Sequence, residues 1–440
     1  MKDPIESDQG GGSLKRGVSL LGIVTLGAGT AIGVAIFSVI APGAALAGPA
    51  MLVSMAIAVI PMVLFAVTYA FMASAVPVSG ASYEWSRRFI HPFVGFIVGW
   101  LRIAGSTAAL IVLSFVLVQY WSMAITLPLK SSMFIVLAIF FVLNLFGVSL
   151  AARGQSLMVF VLVATCALLA LSAVPGAEKS NFSPFFPQGW TGVFAAVPLM
   201  VSLFLGIETA TEVGEEVRNA HKTIPVGIAL SVVVTAVIYL AVSGAAIGVL
   251  GASDLGASRA PLLEVANRSL GPLGMPLILT SATVAIGSSL NAIFMIFSRS
   301  LFAMGRSGIL PGALAEIHGR WGTPHVAITA AFAFCCLGLF LPSSLVFLFL
   351  AVNIPTLLKY AATCFAATRV VTHHADVYGQ AAFRLRPGII RMWAYGGVVA
   401  ALVVIALGLT ADWRPYAVLG CWFVAGVVYF VLRKRSNLSG

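Results

Sequence analysis

Long apolar stretches separated by short polar breaks set the rhythm of this chain. They occupy roughly 18–41, 47–75, 93–123, 132–151, 154–175, 190–213, 225–250, 272–302, 325–342, 344–368, 389–411 and 414–432. A bilayer core about 30 Å thick is crossed by about 20 residues of α-helix, so the pattern predicts twelve membrane-spanning helices. The closest division lies at Leu341-Pro342-Ser343-Ser344. Joining the two stretches there would demand a helix of roughly 40 residues through a proline, so two spans are expected. Residues 1–15 are polar and glycine-rich and read as a disordered cytoplasmic tail. No soluble body follows the first stretch, which therefore reads as a retained helix rather than a cleaved secretory signal.

Composition points the same way. Of 440 residues, 60% are hydrophobic and 9% charged, and the mean hydropathy is +1.04. Soluble domains are about 45–50% apolar and about 25% charged, so the surroundings of this fold are largely membrane lipid. A soluble enzyme, a nucleic-acid binder and a disordered chain are excluded. The net charge of +11 reads as basic cytoplasmic loops. With the N-terminus inside, 18 of the 25 Lys and Arg fall on the inner side, five on the outer side, and Arg102 and Lys359 within spans. That bias predicts a multi-pass protein of the cell inner (cytoplasmic) membrane with both termini cytoplasmic. Lys359 is expected to snorkel its stem to the inner surface. Arg102 reads as a fixed counter-charge, since a guanidinium keeps its proton.

The five cysteines lie in apolar runs without ligand spacing, and the six histidines lie in or beside cytoplasmic loops without a helical ligand pair. No metal site, cofactor or enzyme motif is expected. Two spans do carry candidate chemistry. The first holds Gly27, Gly29 and Gly33, and the sixth holds Phe204-Leu205-Gly206-Ile207-Glu208. Interrupted helices in corresponding places of two halves point to a transporter's binding site. Unwinding frees N–H groups that suit a carboxylate and C=O groups that suit an ammonium or a cation. The alternative is that the glycines serve only tight helix packing. Of the 14 Asp and Glu, only Glu208 and Glu212 fall within a span, four apart on one helical face. Glu208 fits an amine-binding, proton-carrying or gating group, or a structural partner of Arg102 or Lys359.

Several segments resemble the amino acid–polyamine–organocation (APC) transporter superfamily, in its bacterial amino acid permease type. They are Ile32-Gly33-Val34-Ala35-Ile36-Phe37 with Ala47-Gly48-Pro49-Ala50, then Pro77 through Trp85 with Gly99-Trp100. Glu215-Glu216-Val217-Arg218-Asn219 through Ile224-Pro225 follows, and then Ser289-Leu290-Asn291-Ala292, Ser298-Arg299 and Ala303 through Pro311, with His318 and Thr323-Pro324. The resemblance implies an all-α membrane fold of two inverted five-span repeats, with discontinuous first and sixth helices and two extra C-terminal helices. The core would cover 16–370, its repeats about 16–176 and 188–370, and 371–440 would hold the last two spans and the cytoplasmic C-terminus.

The resemblance also implies a secondary transporter that moves an amino acid or related amine by alternating access. Its implied contacts are Ala31, Gly33, Val34 and Ala35 in the first helix, Ser202, Leu205, Gly206 and Glu208 in the sixth, and Ile293 in the eighth. Three departures stand out: Ala35 replaces a glycine, Ser202 replaces an aromatic lid, and the fifth span is wholly apolar around Leu162. Coupling to H+ or Na+ then falls to Glu208, Glu212 or Arg102, or to a sodium site at Ser288 or Ser289, and exchange alone is the other route. A channel would want a pore lined by repeated polar residues, and a sensor an added soluble domain. Neither pattern is present.

Overall fold

The computed structural model describes residues 19–78, 81–146, 150–206, 211, 217 and 219–436. Twelve spans follow in order: α1 (Leu20–Ser38), α2 (Met51–Ala75), α3 (Pro92–Trp121), α4 (Leu129–Leu145), α5 (Leu150–Ala173), α6 (Gly189–Val201), α7 (Ala220–Leu250), α8 (Gly274–Arg306), α9 (His325–Gly338), α10 (Leu345–His373), α11 (Pro387–Ala411) and α12 (Arg414–Ser436). Among the described residues, nine helical stretches are long and apolar enough to cross a membrane, and shorter apolar helices at α4, α6 and α9 complete the set.

Local chemistry sets several ends. The Ser19 hydroxyl accepts the Gly22 N–H at 3.3 Å to start α1, and Ser344 accepts the Phe347 N–H at 3.4 Å to start α10. The predicted division before α10 is therefore present. α9 stops at Gly338, short of the expected end near 342. Beyond it, the Lys130 ammonium donates to the Leu339 and Leu341 carbonyls at 2.6 and 3.3 Å, a cation at a helix C-terminus.

The packing pattern repeats with a shift of five spans. α1 packs on α5 and α7, as α6 packs on α10 and α2. α3 meets α10 and α4, as α8 meets α5 and α9. The pairs α2–α7, α3–α8 and α4–α9 map onto themselves. Because five is odd, a span and its counterpart run in opposite directions, so the second set is inverted. The connecting helices obey the same rule. Ala81–Phe89 packs on α3 and α10, and Pro261–Leu270 packs on α8 and α5. Each carries a glutamate in its first turn (Glu84, Glu264) and arginine in its last (Arg87 and Arg88, Arg268), matching the helix dipole.

The last two spans lie outside this repeat. α11 rests on α10 and α2, and α12 on α3 and α10. Their outer flanks expose Val399, Leu402, Val424 and Val428, as lipid-facing helices do.

Candidate functional site

α6 breaks where the sequence predicts. After Val201 the chain tightens into one 3-10 turn, Ser202–Phe204, and Leu205 is extended at φ −68°, ψ 135°. Gly206 follows at φ 102°, a conformation that a side chain strongly disfavours. Leu205 and Gly206 are half-buried. Glu208 and Glu212 lie outside the described residues.

The break frees backbone groups, and a neighbour takes one of them. The Ser202 N–H turns to the carbonyls of Leu199 and Met200, which leaves that of Pro198. Asn353, on α10 and 1% exposed, donates its Nδ2 to the Pro198 oxygen at 2.7 Å and to Ser202 Oγ at 2.8 Å. Ser202 Oγ in turn donates to Asn353 Oδ1 at 3.1 Å. Sequence reading missed Asn353, although a lone amide in an apolar run was a visible signal.

α1 does not open at its glycines. It is helical from Leu20 to Ser38, through Ala31, Gly33, Val34 and Ala35, and its interruption is a bend at Val39 with φ −85°, ψ −24°. A second short helix, Ile40–Ala47, continues beyond the bend. Glycine permits unwinding but does not compel it, and here the packing role prevails. A Cβ on Gly33 would come within 2.3 Å of Ser289 Oγ on α8. Ala31 and Ala35 are each 2% exposed.

Hydroxyls instead address α1 carbonyls from outside. Tyr239 donates to Ala31 at 2.7 Å, Ser231 to Val24 at 3.3 Å, and Tyr120 to Phe37 at 2.8 Å. Ser231, Thr235, Tyr239 and Ser243 recur every fourth residue of α7, all buried. Among the described residues, the Thr235 and Ser243 hydroxyls have no hydrogen-bond partner.

The remaining predicted residues are more scattered. On α8, Ser288 and Ser289 both donate to the Ala285 carbonyl, at 2.9 and 3.1 Å, and Ile293 packs half-buried against the core. Arg102 is half-buried on α3. Lys359 does not snorkel free. It is 9% exposed, and its ammonium lies 5.0 Å from the Tyr360 ring centroid. Nearby, Tyr69 joins α2 to the Ala81–Phe89 helix through Ser82 at 2.9 Å and accepts from Thr363 of α10 at 3.1 Å. Among the described residues no group of three or more His, Cys, Asp or Glu could hold a metal.

Residues 18–436 match the amino acid permease family profile. The chain belongs to the amino acid permease family. It is 29% identical to a branched-chain amino acid permease of Bacillus subtilis over 351 residues, covering 74% of this chain and 75% of that one. It is 26% identical to the methylthioribose transporter of the same organism over 451 residues, 97% and 95% of the two chains. A branched-chain amino acid permease of Lactococcus lactis matches at 24% over 446 residues, 94% of each. The permease is thus a multi-pass membrane transporter of the APC superfamily.

Proposed function

We propose that this permease carries an amino acid or related amine across the cytoplasmic membrane by alternating access, with the solute held between α1 and α6. The observation that carries this reading is the break at Leu205-Gly206, immediately after a 3-10 turn that packs on α1. The end of α6 offers carbonyls with partial negative charge, which suit an ammonium group. No such opening faces a carboxylate on the α1 side, where Ala31 through Ala35 lie within the helix. Leu205 and Ile293 add apolar side chains, and two relatives are named for branched-chain amino acids. An aliphatic amino acid is therefore the first probe.

Proton coupling is the reading taken first, with sodium coupling and exchange as its alternatives. Ser288 and Ser289 each donate to the Ala285 carbonyl, which leaves their oxygens able to accept, so a sodium site there is the other outcome of the assay below. In this reading Glu208 is the proton-coupling group, because it follows the break by two residues in sequence, with Glu212 and Arg102 as the other charged candidates. The charge bias of 18 to five supports cytoplasmic placement of both termini.

Uptake of radiolabelled leucine into proteoliposomes, under an imposed proton or sodium gradient, tests the reading. Saturable uptake driven by the proton gradient and lost in Glu208→Gln is expected. Leucine movement that depends strictly on internal leucine would instead make the protein an exchanger. No saturable movement of leucine, valine, isoleucine or methylthioribose would reject the transport site.

A further inference from the structure

We infer that Asn353 is a positioning residue for the α6 break, tying α10 to the segment that presents Leu205 and Gly206. The inference rests on the reading of that break as the transport site. Asn353 satisfies the Pro198 carbonyl that the 3-10 turn frees and pairs with the Ser202 hydroxyl of the same turn, from another helix at 2.7 and 2.8 Å. All of this is buried: Asn353 is 1% and Ser202 6% exposed. In a lipid-surrounded core an unpaired carbonyl is costly. Without the amide, the cheapest remedy for Pro198 is to recapture the Ser202 N–H four residues on and restore the α-helical turn. Asn353 therefore opposes rewinding of α6.

α1 is the inverted counterpart of α6, and α5 that of α10. At the α1–α5 contact, the atoms nearest a Cβ on Gly29 are those of the Val159 side chain, and α1 stays helical.

If the broken form is the one that binds, its loss scales apparent affinity by the fraction still competent. Once solute is bound, the following step is unchanged. Asn353→Ala, and Asn353→Leu at nearly the original volume, should raise the KM for leucine about tenfold with the maximal rate within about twofold. Ser202→Ala should move KM the same way by less, and add little on top of Asn353→Ala, because both act through one network.

A substrate-free readout separates this from the transport reading. In a Cys336→Ser/Cys421→Ser background, Leu205→Cys reports the break through its maleimide labelling rate, which Asn353→Ala should lower severalfold. Labelling and KM both unchanged, with only a lower melting temperature, would overturn the inference and leave Asn353 a mere packing group. Parent protein that moves none of leucine, valine, isoleucine or methylthioribose would reject the transport reading, while the labelling arm still decides Asn353. Should both Asn353 variants fail to fold, Ser202→Ala decides by the same two readouts.

Discussion

Gly33 shows how a single missing methyl group sets a helix contact. A Cβ there would sit 2.3 Å from Ser289 Oγ but 3.6 Å from Ser289 Cβ. The obstacle is therefore the hydroxyl alone, and that hydroxyl is otherwise held to the Ala285 carbonyl at 3.1 Å. Gly33→Ala should destabilise the protein by about 1–3 kcal/mol through overpacking. Ser289→Ala removes one intrahelical hydrogen bond and should cost less, about 1 kcal/mol. The double variant should recover most of the stability lost in Gly33→Ala, since 3.6 Å is ordinary contact. Melting curves in detergent read all three. Additive losses would mean that the 2.3 Å approach is not what constrains this pair. The same residue shows where sequence reading ends. Three glycines in seven positions announced a special stretch in α1, yet unwinding and close packing need the same residue, and only the neighbouring helix decides between them. Gly206 carries a second signal, a carboxylate two residues on, which a glycine serving only close packing does not need.

At the scale of whole elements, the spans were legible because lipid leaves the backbone no alternative to helix. Their partners were not, because a run of Leu, Val and Ala looks alike on every face. The docking of α12 is a case in point. Trp100 of α3 and Trp422 of α12 stack with centroids 4.6 Å apart at 12°. Each indole N–H donates to the other residue's carbonyl, at 2.8 and 2.9 Å. Tyr429 extends the stack on Trp100 at 5.6 Å and donates to the Ile309 carbonyl at 3.0 Å. This reciprocal pairing does for α12 what apolar burial cannot do against lipid, where packing and interhelical hydrogen bonds drive association. Trp422→Phe keeps part of the stack and loses one hydrogen bond, a cost of about 1 kcal/mol. Trp422→Ala loses both, about 3–5 kcal/mol. Hydrogen exchange confined to 414–436 should quicken strongly in the alanine variant and only slightly in the phenylalanine one. Equal exchange in the two would show that the indole stack does not hold α12.

Across the molecule, the inverted repeat makes two halves with matched connecting helices, and the protein must keep both in place through every state it visits. Ala81–Phe89 does so between α3 and α10, and its charges are concentrated on Glu84. Burial pushes the Glu84 carboxyl up, but hydrogen bonds from Arg87 and Arg88 outweigh that, and the net pKa lies below the ordinary 4.5. The contacts are 2.9 Å from Arg87 and 2.7 Å from Arg88, with the Glu84 side chain 19% exposed. A carboxylate whose folded pKa is depressed contributes stability that is fully present above its unfolded value. That contribution shrinks as pH falls below about 4.5 and is gone once the folded pKa is passed. The melting temperature should therefore be level from neutral pH down to the upper end of this window and then fall. Glu84→Gln should lower it at neutral pH and flatten the fall, because the amide has no proton to gain. Raised salt should narrow the gap between the two proteins, as the arginines are half-exposed and their attraction is screened. Parallel melting profiles for the two proteins from pH 7 to pH 3 would place the acid-sensitive group elsewhere.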